Sequence, residues 1–380
     1  MTSVLYLAAL VAVCRLEGGI RPTFLLGFAL LFRLTAFQME PLFSDDLFRY
    51  RWEGRVAAAG LNPYDHRPAE PKLPHLLEPR VDGKDFKPVY GPLLQSLQLA
   101  LVNLGGDRNL NTMKWGACLA DLLLCWLLWQ WLPPNETWRW IAWAWCPLGL
   151  VEFWGMGHHD AVMVALSLAA LYAAERHKWP HAYALLGLAA ATKYWPILLW
   201  PYLARRGNWR WAALTPLAFA LCWLPWLTDI SENAKYTGGF VGGWRNNDIL
   251  FGPILALAGS LDAAKRASMA IIALSSLAAA LFAKSPRQAY WTVALTILLV
   301  SANVHPWYLT WILPLAVFHW PWPVLLWGAL APVHYIVLIR WRHEHIWEGL
   351  TNWRWAVYLP VFALLMVQIV RRRHVGNPRS

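Results

Sequence analysis

Charge is what this sequence has least of. Only 14% of its 380 residues are Asp, Glu, Lys or Arg, whereas 58% are hydrophobic and the mean hydropathy is positive. A soluble domain averages about 25% charged residues. A large soluble helical protein would also need polar helix faces, which stretches such as 117–132 and 270–283 lack. The alternative that remains is an all-α polytopic membrane protein.

Other absences narrow the class further. No Gly-rich phosphate loop and no Rossmann-like βαβ pattern is present, so a nucleotide-binding domain is not expected. The five cysteines (Cys14, Cys118, Cys125, Cys146, Cys222) show no paired metal-type spacing and mostly lie in apolar segments, as small core residues do. The N-terminus lacks a basic leader region and a small-residue cleavage site, so 3–16 reads as a short first membrane helix. No internal repeat, low-complexity stretch or soluble domain is evident. The net charge of +11 and the basic tail Arg371-Arg372-Arg373-His374 do not call for nucleic acid. In a membrane protein, basic residues collect on the cytoplasmic side.

What is abundant is apolar sequence and tryptophan. Candidate membrane segments fall at 3–16, 22–42, 90–105, 113–132, 138–156, 159–174, 180–204, 209–227, 266–283, 288–303, 306–319, 321–339 and 353–370. Many approach the roughly 20 residues that a helix needs to cross a bilayer. Many of the 28 tryptophans, among them Trp129, Trp131, Trp138, Trp140, Trp320 and Trp322, sit near segment ends, where indole suits the membrane interface. Arg371–Arg373 place the C-terminus inside, and Arg15 with Arg21 place the first turn inside. Residues 43–89 then face outward, as does His305, while Lys284 and Arg287 face inward. The count fails to close in the middle. If 175–178 and 205–206 are both cytoplasmic, 180–204 must be broken, and Pro196 and Pro201 permit a re-entrant pair of short helices. The piece at 249–262 is too short to span.

Two hydrophilic excursions remain: a first outer loop at 43–89 and a second at 228–264 with a short or re-entrant helix. The first carries eight acidic and eight basic residues. Ser44 is a fitting N-cap for a helix running to Ala59 and stopping at Gly60, with Asp45 and Asp46 in its first turn. Phe48, Trp52 and Val56 share one ridge, suited to lying flat on a membrane or bundle surface, and Asp45, Arg49 and Glu53 share the next. A helix cap paired with Arg49 would account for one carboxylate. Two adjacent carboxylates repel and raise the affinity of one for a proton, and they sit where a lipid head group would lie.

Other polar groups interrupt the apolar chain. Gly157-His158-His159-Asp160 joins two apolar segments, and Asp160 and His158 suit a cavity lining. Neighbouring side chains on a helix diverge by about 100°, so His158 and His159 do not readily share a metal, and none is expected. Lys193 lies inside an apolar run, where a cation needs a partner or must snorkel. His305 opens a segment beside Pro306. Trp244, Arg245, Asn246, Asn247 and Asp248 offer aromatic, guanidinium and amide groups suited to sugar hydroxyls. Arg340, Arg342, His343 and His345 form a basic outer turn.

In sequence order, several of these stretches carry a resemblance. Ser44-Asp45-Asp46 after an early membrane helix is followed by Tyr50, Trp52-Glu53-Gly54-Arg55 and Gly60-Leu61-Asn62-Pro63-Tyr64. The set resembles the GT-C superfamily of polyprenyl-phosphate-sugar-dependent glycosyltransferases, and more narrowly glycosyltransferase family 87. Val89-Tyr90-Gly91-Pro92-Leu93 resembles that family's Tyr-Pro-Pro-Leu element, with Gly91 for the first proline. Gly157–Asp160 resembles its Gly-His-Asn-Asp, with His159 for Asn. Thr192-Lys193-Tyr194-Trp195-Pro196 and His305-Pro306-Trp307-Tyr308-Leu309 resemble two further elements.

The resemblance implies a GT-C-type bundle of about 11 to 13 transmembrane helices, with an interfacial helix in the first outer loop. It also implies an inverting hexosyl-, by expectation mannosyl-, transferase in the inner (plasma) membrane, its site facing the periplasm or exterior. The donor would be a polyprenyl-phosphate sugar, the acceptor a glycan or glycolipid, and no cofactor would be needed. Asp45 or Asp46 would be the base, Asp45 being preferred because the first of the pair follows the membrane helix. Arg49, Lys193 and His305 would meet the donor phosphate. Tyr50, Glu53, Asn62, Tyr64, Tyr90, His158, His159, Asp160, Arg245, Asn246, Trp307 and Tyr308 would bind substrate. The rival from another class, a transporter or flippase, would show paired halves and would not need the acidic outer helix.

Overall fold

The computed structural model describes residues 2–16, 19–70, 73–81, 83–227, 245–344 and 352–375, the side chains of 74, 340 and 372–375 excepted. Residues 228–244 of the expected second outer loop, Trp244 among them, His345, and the side chains of Arg340 and of Arg372, Arg373 and His374 lie outside the described residues. Among those described, the chain is helical without strands, and an isolated bridge joins Asn246 to Asn303.

The longer helices are α1 (Thr2–Arg15), α2 (Pro22–Phe37), α3 (Asp46–Ala58), α4 (Pro92–Leu101), α5 (Leu110–Trp131), α6 (Asp160–Glu175), α7 (Trp179–Ala190), α8 (Leu214–Trp223), α9 (Leu261–Phe282), α10 (Pro286–Val300), α11 (Trp322–Leu330) and α12 (Arg354–Val375). Among the described residues, Leu110–Trp131, Leu261–Phe282, Trp322–Glu344 and Arg354–Arg371 are long and apolar enough to cross a membrane. Their outer faces expose Leu119, Leu123, Met269, Leu274, Leu359 and Met366. Such a belt is costly in water and neutral in lipid. This is an all-α membrane protein.

Other expected segments are interrupted. Residues 138–156 break into Pro134–Trp140, Ile141–Ala144 and a wide turn at Leu150–Gly155, and 306–319 into Pro306–Trp311, Leu313–Leu315 and Ala316–His319. Proline fixes φ and removes a donor, so it opens short pieces such as those at Pro306 and Leu313-Pro314.

The stretch 180–204 folds as the charge pattern required. Helix α7 ends at Ala190, the chain turns at 191–194, and Trp195–Leu199 and Trp200–Arg206 lead back. Lys193 at the turn bonds Asp160 at the start of α6, whereas Glu175 at the end of α6 pairs with Arg287 and Arg206 bonds the Leu281 carbonyl. Both ends of the stretch therefore lie at the Arg287 end of the bundle. The helix at Phe251–Ala258 has eight residues, too few to span.

Two buried polar groups fix α2. Arg33 pairs with Asp121 at 2.9 Å and donates to the Ala29 and Ala144 carbonyls; Asp121 also accepts from the Trp143 and Trp154 indoles. Lys114, fully buried, donates to the Phe37 and Met39 carbonyls at 3.1 and 2.6 Å, where α2 has run out of backbone donors.

Helix α3 begins one residue later than expected. Ser44 Oγ accepts the Asp46 amide at 3.1 Å, while Asp45 occupies the cap position with no capping hydrogen bond from its side chain. The helix stops where the sequence said, with Gly60 at φ +76°. Its ridge of Phe48, Trp52 and Val56 does not face lipid: it packs on Leu73 and Val81 of the same loop. Leu47 and Tyr50 pack on Leu101, Val102 and Met113. The helix is thus clamped between α4, α5 and its own loop.

Candidate active site

Three of the sequence motifs meet where α3 and α6 begin and where the chain turns after α7. Asp46 Oδ2 accepts the Tyr90 hydroxyl at 2.9 Å and the Tyr50 hydroxyl at 3.4 Å, and His158 Nε2 lies 3.7 Å from it. Burial, and next the Asp46 carboxylate, push the Tyr50 phenol well above its ordinary value, so it remains a donor. The Asp46 carboxylate is a quarter exposed. It opens on a shallow cleft of about 60 Å³ lined by Arg49, Glu53, Phe86, Lys87 and Tyr90.

Asp45 points elsewhere. Its Oδ1 accepts Arg80 Nε and Nη2 at 3.0 and 2.6 Å, and Arg80 also donates to the Pro41 carbonyl and covers the Phe48 ring. The adjacent carboxylates differ because one residue of helix turns a side chain by about 100°. The pairing of the carboxylates with Arg49 does not occur, since Arg80 takes Asp45.

Lys193 forms the second half of the cluster. Its Nζ is 2.7 Å from Asp160 Oδ1, which also accepts the Trp311 indole at 2.8 Å. The ammonium lies 4.5 Å from the Tyr308 ring, 4.8 Å from Trp311 and 5.9 Å from Tyr90, a cation–π box in a low-dielectric setting. Tyr90 therefore touches both halves. Asp160 Oδ2, buried, has no hydrogen-bond partner among the described residues.

The histidines divide as consecutive positions must. His158 stacks on Trp307 at 4.3 Å and turns Nδ1 toward Glu152 Oε2 at 3.0 Å. His159 instead stacks on Tyr50 at 4.3 Å and approaches the Met113 carbonyl, behind the site. His305 stacks on the same Trp307 at 4.2 Å and reaches Asn246 Nδ2 at 3.2 Å.

Several expected site residues serve the frame instead of the cluster. Arg49, on the cleft wall, is held by Glu53 at 2.7 Å and by the Gly83 and Phe86 carbonyls; Glu53 also accepts Gln95. Asn62 caps the turn at Tyr64, and the buried Tyr64 hydroxyl donates to the Tyr90 carbonyl at 2.7 Å. Arg245 pairs with Asp248, which Arg354 shares.

The Tyr90 backbone is positioned by Gly91, whose amide donates to the Thr192 carbonyl at 2.9 Å; a Cβ there would lie 2.2 Å from the Ala191 carbonyl oxygen. Proline could not make that bond, which is why glycine occupies this step of the motif.

Four residues escaped the sequence reading: Glu152, Tyr335, Trp311 and Arg80. Glu152 sits alone in an apolar segment, the same signal that marked Lys193. Trp311 lies three residues past Tyr308, within one turn. Tyr335 and Arg80 carry no local signal. Among the described residues no cluster of three or more His, Cys, Asp and Glu is arranged to hold a metal.

A family model, the MptA_B family, described as "Alpha-(1->6)-mannopyranosyltransferase, N-terminal domain", matches residues 5–207, just over half of the chain. No curated protein matches the chain.

Proposed function

The chain belongs to the MptA_B family of alpha-(1->6)-mannopyranosyltransferases, and on that premise we propose an inverting transfer of mannose from a polyprenyl-phosphate donor to position 6 of a mannosyl acceptor. It is a mannosyl glycosyltransferase of the membrane; the donor, the stereochemistry and the outward-facing site are our reading. An inverting displacement gives an α linkage only from a β-linked donor, so the two proposals stand together.

The observation that carries the reading is Asp46: a partly exposed carboxylate held by two phenols at the mouth of a cleft. In this reading Asp46 takes the proton of the acceptor hydroxyl as it attacks the anomeric carbon. Tyr50 and Tyr90 aim the carboxylate. Lys193, with His305 beside it, meets the phosphate, on which negative charge grows as the glycosidic bond breaks. Asp160 holds Lys193 in place, and Trp307, Tyr308, His158 and Asn246 offer faces and polar edges to the sugar. Arg49 and Glu53 shape the acceptor cleft. No cofactor takes part in this scheme.

The geometry shifts the choice of base from Asp45 to Asp46, because Arg80 occupies Asp45. The test is transfer of labelled mannose from polyprenyl-phosphate mannose in membranes holding the full chain. The reading fails if the wild-type protein consumes no lipid-linked mannose, or if the product linkage is β. Collapse of a solute gradient without sugar transfer would favour a transporter.

A further inference from the structure

Glu152 is a carboxylate buried completely inside an apolar segment, and the transfer scheme leaves it unused. A buried carboxylate is costly unless hydrogen-bonded and matched by positive charge. Two side chains meet it in the structure. Tyr335 donates its hydroxyl to Oε1 at 2.6 Å, and His158 Nδ1 lies 3.0 Å from Oε2, close enough for charge pairing but not aligned as a hydrogen bond. The backbone reinforces the second contact: the His158 amide donates to the Glu152 carbonyl at 2.9 Å across the wide turn. On its other edge, His158 Nε2 lies 3.7 Å from Asp46 Oδ2, and the Trp307 stack holds the ring plane between the two carboxylates. Tyr335 in turn stacks on Phe43 at 4.9 Å, three residues before Asp46.

From this line of Tyr335, Glu152, His158 and Asp46 we infer that Glu152 is a positioning residue that makes His158 the second station for the proton taken from the acceptor. The inference rests on the reading of Asp46 as base. In this relay the tautomer with its proton on Nδ1, the edge beside Glu152, leaves the Nε2 lone pair turned to Asp46. In the transfer, the acceptor O–H bond breaks, its oxygen bonds the anomeric carbon, and the carbon–phosphate oxygen bond breaks with its electron pair staying on the phosphate. The proton moves to Asp46 Oδ2 and then to His158 Nε2. The imidazolium so formed is matched by Glu152 and, once product has left, returns its proton through Asp46, the member of the line that opens on the cleft, to water. A gap of 3.7 Å is longer than a hydrogen bond, and contacts of this kind commonly tighten when substrate binds. Asp160, His159 and His305 also act on His158, the first as an anion and the two histidines as neighbours. Asp160 is already matched by Lys193, so Glu152 is the anion left for His158.

The test uses the full chain in membranes with polyprenyl-phosphate mannose, measuring kcat, KM and the pH profile. Glu152→Gln keeps the Tyr335 contact and the volume but removes the charge. The expected result is a fall in kcat of about 30- to 100-fold, a donor KM within about twofold, and an acid limb moved to lower pH, since His158 without its anion holds a proton less firmly. Glu152→Asp should recover part of the loss. Tyr335→Phe, which spares the buried charge, should lower kcat by about 3- to 10-fold in the same sense and covers the case in which Glu152→Gln fails to fold. A wild-type profile in Tyr335→Phe together with unchanged kcat in Glu152→Gln would overturn the relay, as would a loss confined to KM. If Asp46→Asn is inactive while Glu152→Gln behaves as wild type, the relay alone falls. If Asp46→Asn retains full transfer, the base reading falls first and the relay with it.

Discussion

Lys193 and Asp160, 33 positions apart in sequence, are joined by a 2.7 Å hydrogen bond that ties the turn after α7 to the first residue of α6. The pair makes one ion serve two ends: it closes the hairpin of 179–206 and it sets a cation at the candidate site. Its parts should therefore fail differently.

Replacing Lys193 with Met leaves Asp160 buried without its cation, a change that costs about 3–5 kcal/mol when a buried pair loses one partner. Replacing both, as Lys193→Met with Asp160→Leu, should recover most of the thermal stability in detergent while transfer stays lost. Recovery of transfer in the double variant would show that the cation is needed only for the fold.

Asp46→Asn and Asp45→Asn should separate cleanly. The first should lower kcat by about 100- to 10,000-fold, the span of general-base contributions. The second breaks only the Arg80 contacts, on a carboxylate one third exposed, and should lower kcat by less than about tenfold. Labelled-mannose transfer by the two variants, normalised to the amount of folded protein, reads this directly. The reverse order would return the role to Asp45.

Tyr90→Phe removes a hydroxyl 2.9 Å from Asp46 and leaves the ring near Lys193. The expected loss is about 10-fold in kcat, roughly one charge-assisted hydrogen bond, with little change in melting temperature. A large drop in stability with unchanged kcat would make Tyr90 a packing residue only.

Gly91→Ala should be a folding variant. Its Cβ would fall 2.2 Å from the Ala191 carbonyl oxygen, backbone that cannot step aside, so Tyr90-Gly91-Pro92 must lift from the turn after α7. Overpacking of this kind costs about 1–3 kcal/mol or more. Because Tyr90 moves with it, both stability and kcat should fall, measured by thermal unfolding and transfer in the same preparation. A fully stable and active Gly91→Ala protein would mean that the Gly91–Ala191 approach does not constrain the fold.

The sequence made the site legible wherever a charge interrupted apolar surroundings. Asp160, Lys193 and His158 are conspicuous for that reason, Asp46 instead for its place beside a second carboxylate just after a membrane helix, and the four lie together. The break in 180–204 was legible too, because basic ends on both sides could not otherwise share one face. Helix phase was not legible. Whether Asp45 or Asp46 faces the cleft depends on a single residue of offset at the start of α3, and the partner that takes up Asp45, Arg80, lies far along the loop. The substrate roles expected of Asn62 and Tyr64 come from motif position; in the structure Tyr64 bonds the Tyr90 carbonyl and Asn62 caps the turn that carries Tyr64. Glu152, Arg33, Asp121 and Lys114 carry the same signal as Lys193; each is paired or hydrogen-bonded inside the bundle.

The position of Lys114 bears on how any survey of variants will be read. Its ammonium clasps the last carbonyls of α2 just ahead of the Ser44-Asp45-Asp46 step, so the direction in which the chain leaves the bundle is set there. Loss of that lysine would swing the acidic pair off target while touching no reacting atom. An inactive Lys114 protein would mimic a chemical defect, and only its unaltered response to added acid or base would reveal a misdirected chain in place of a missing reagent.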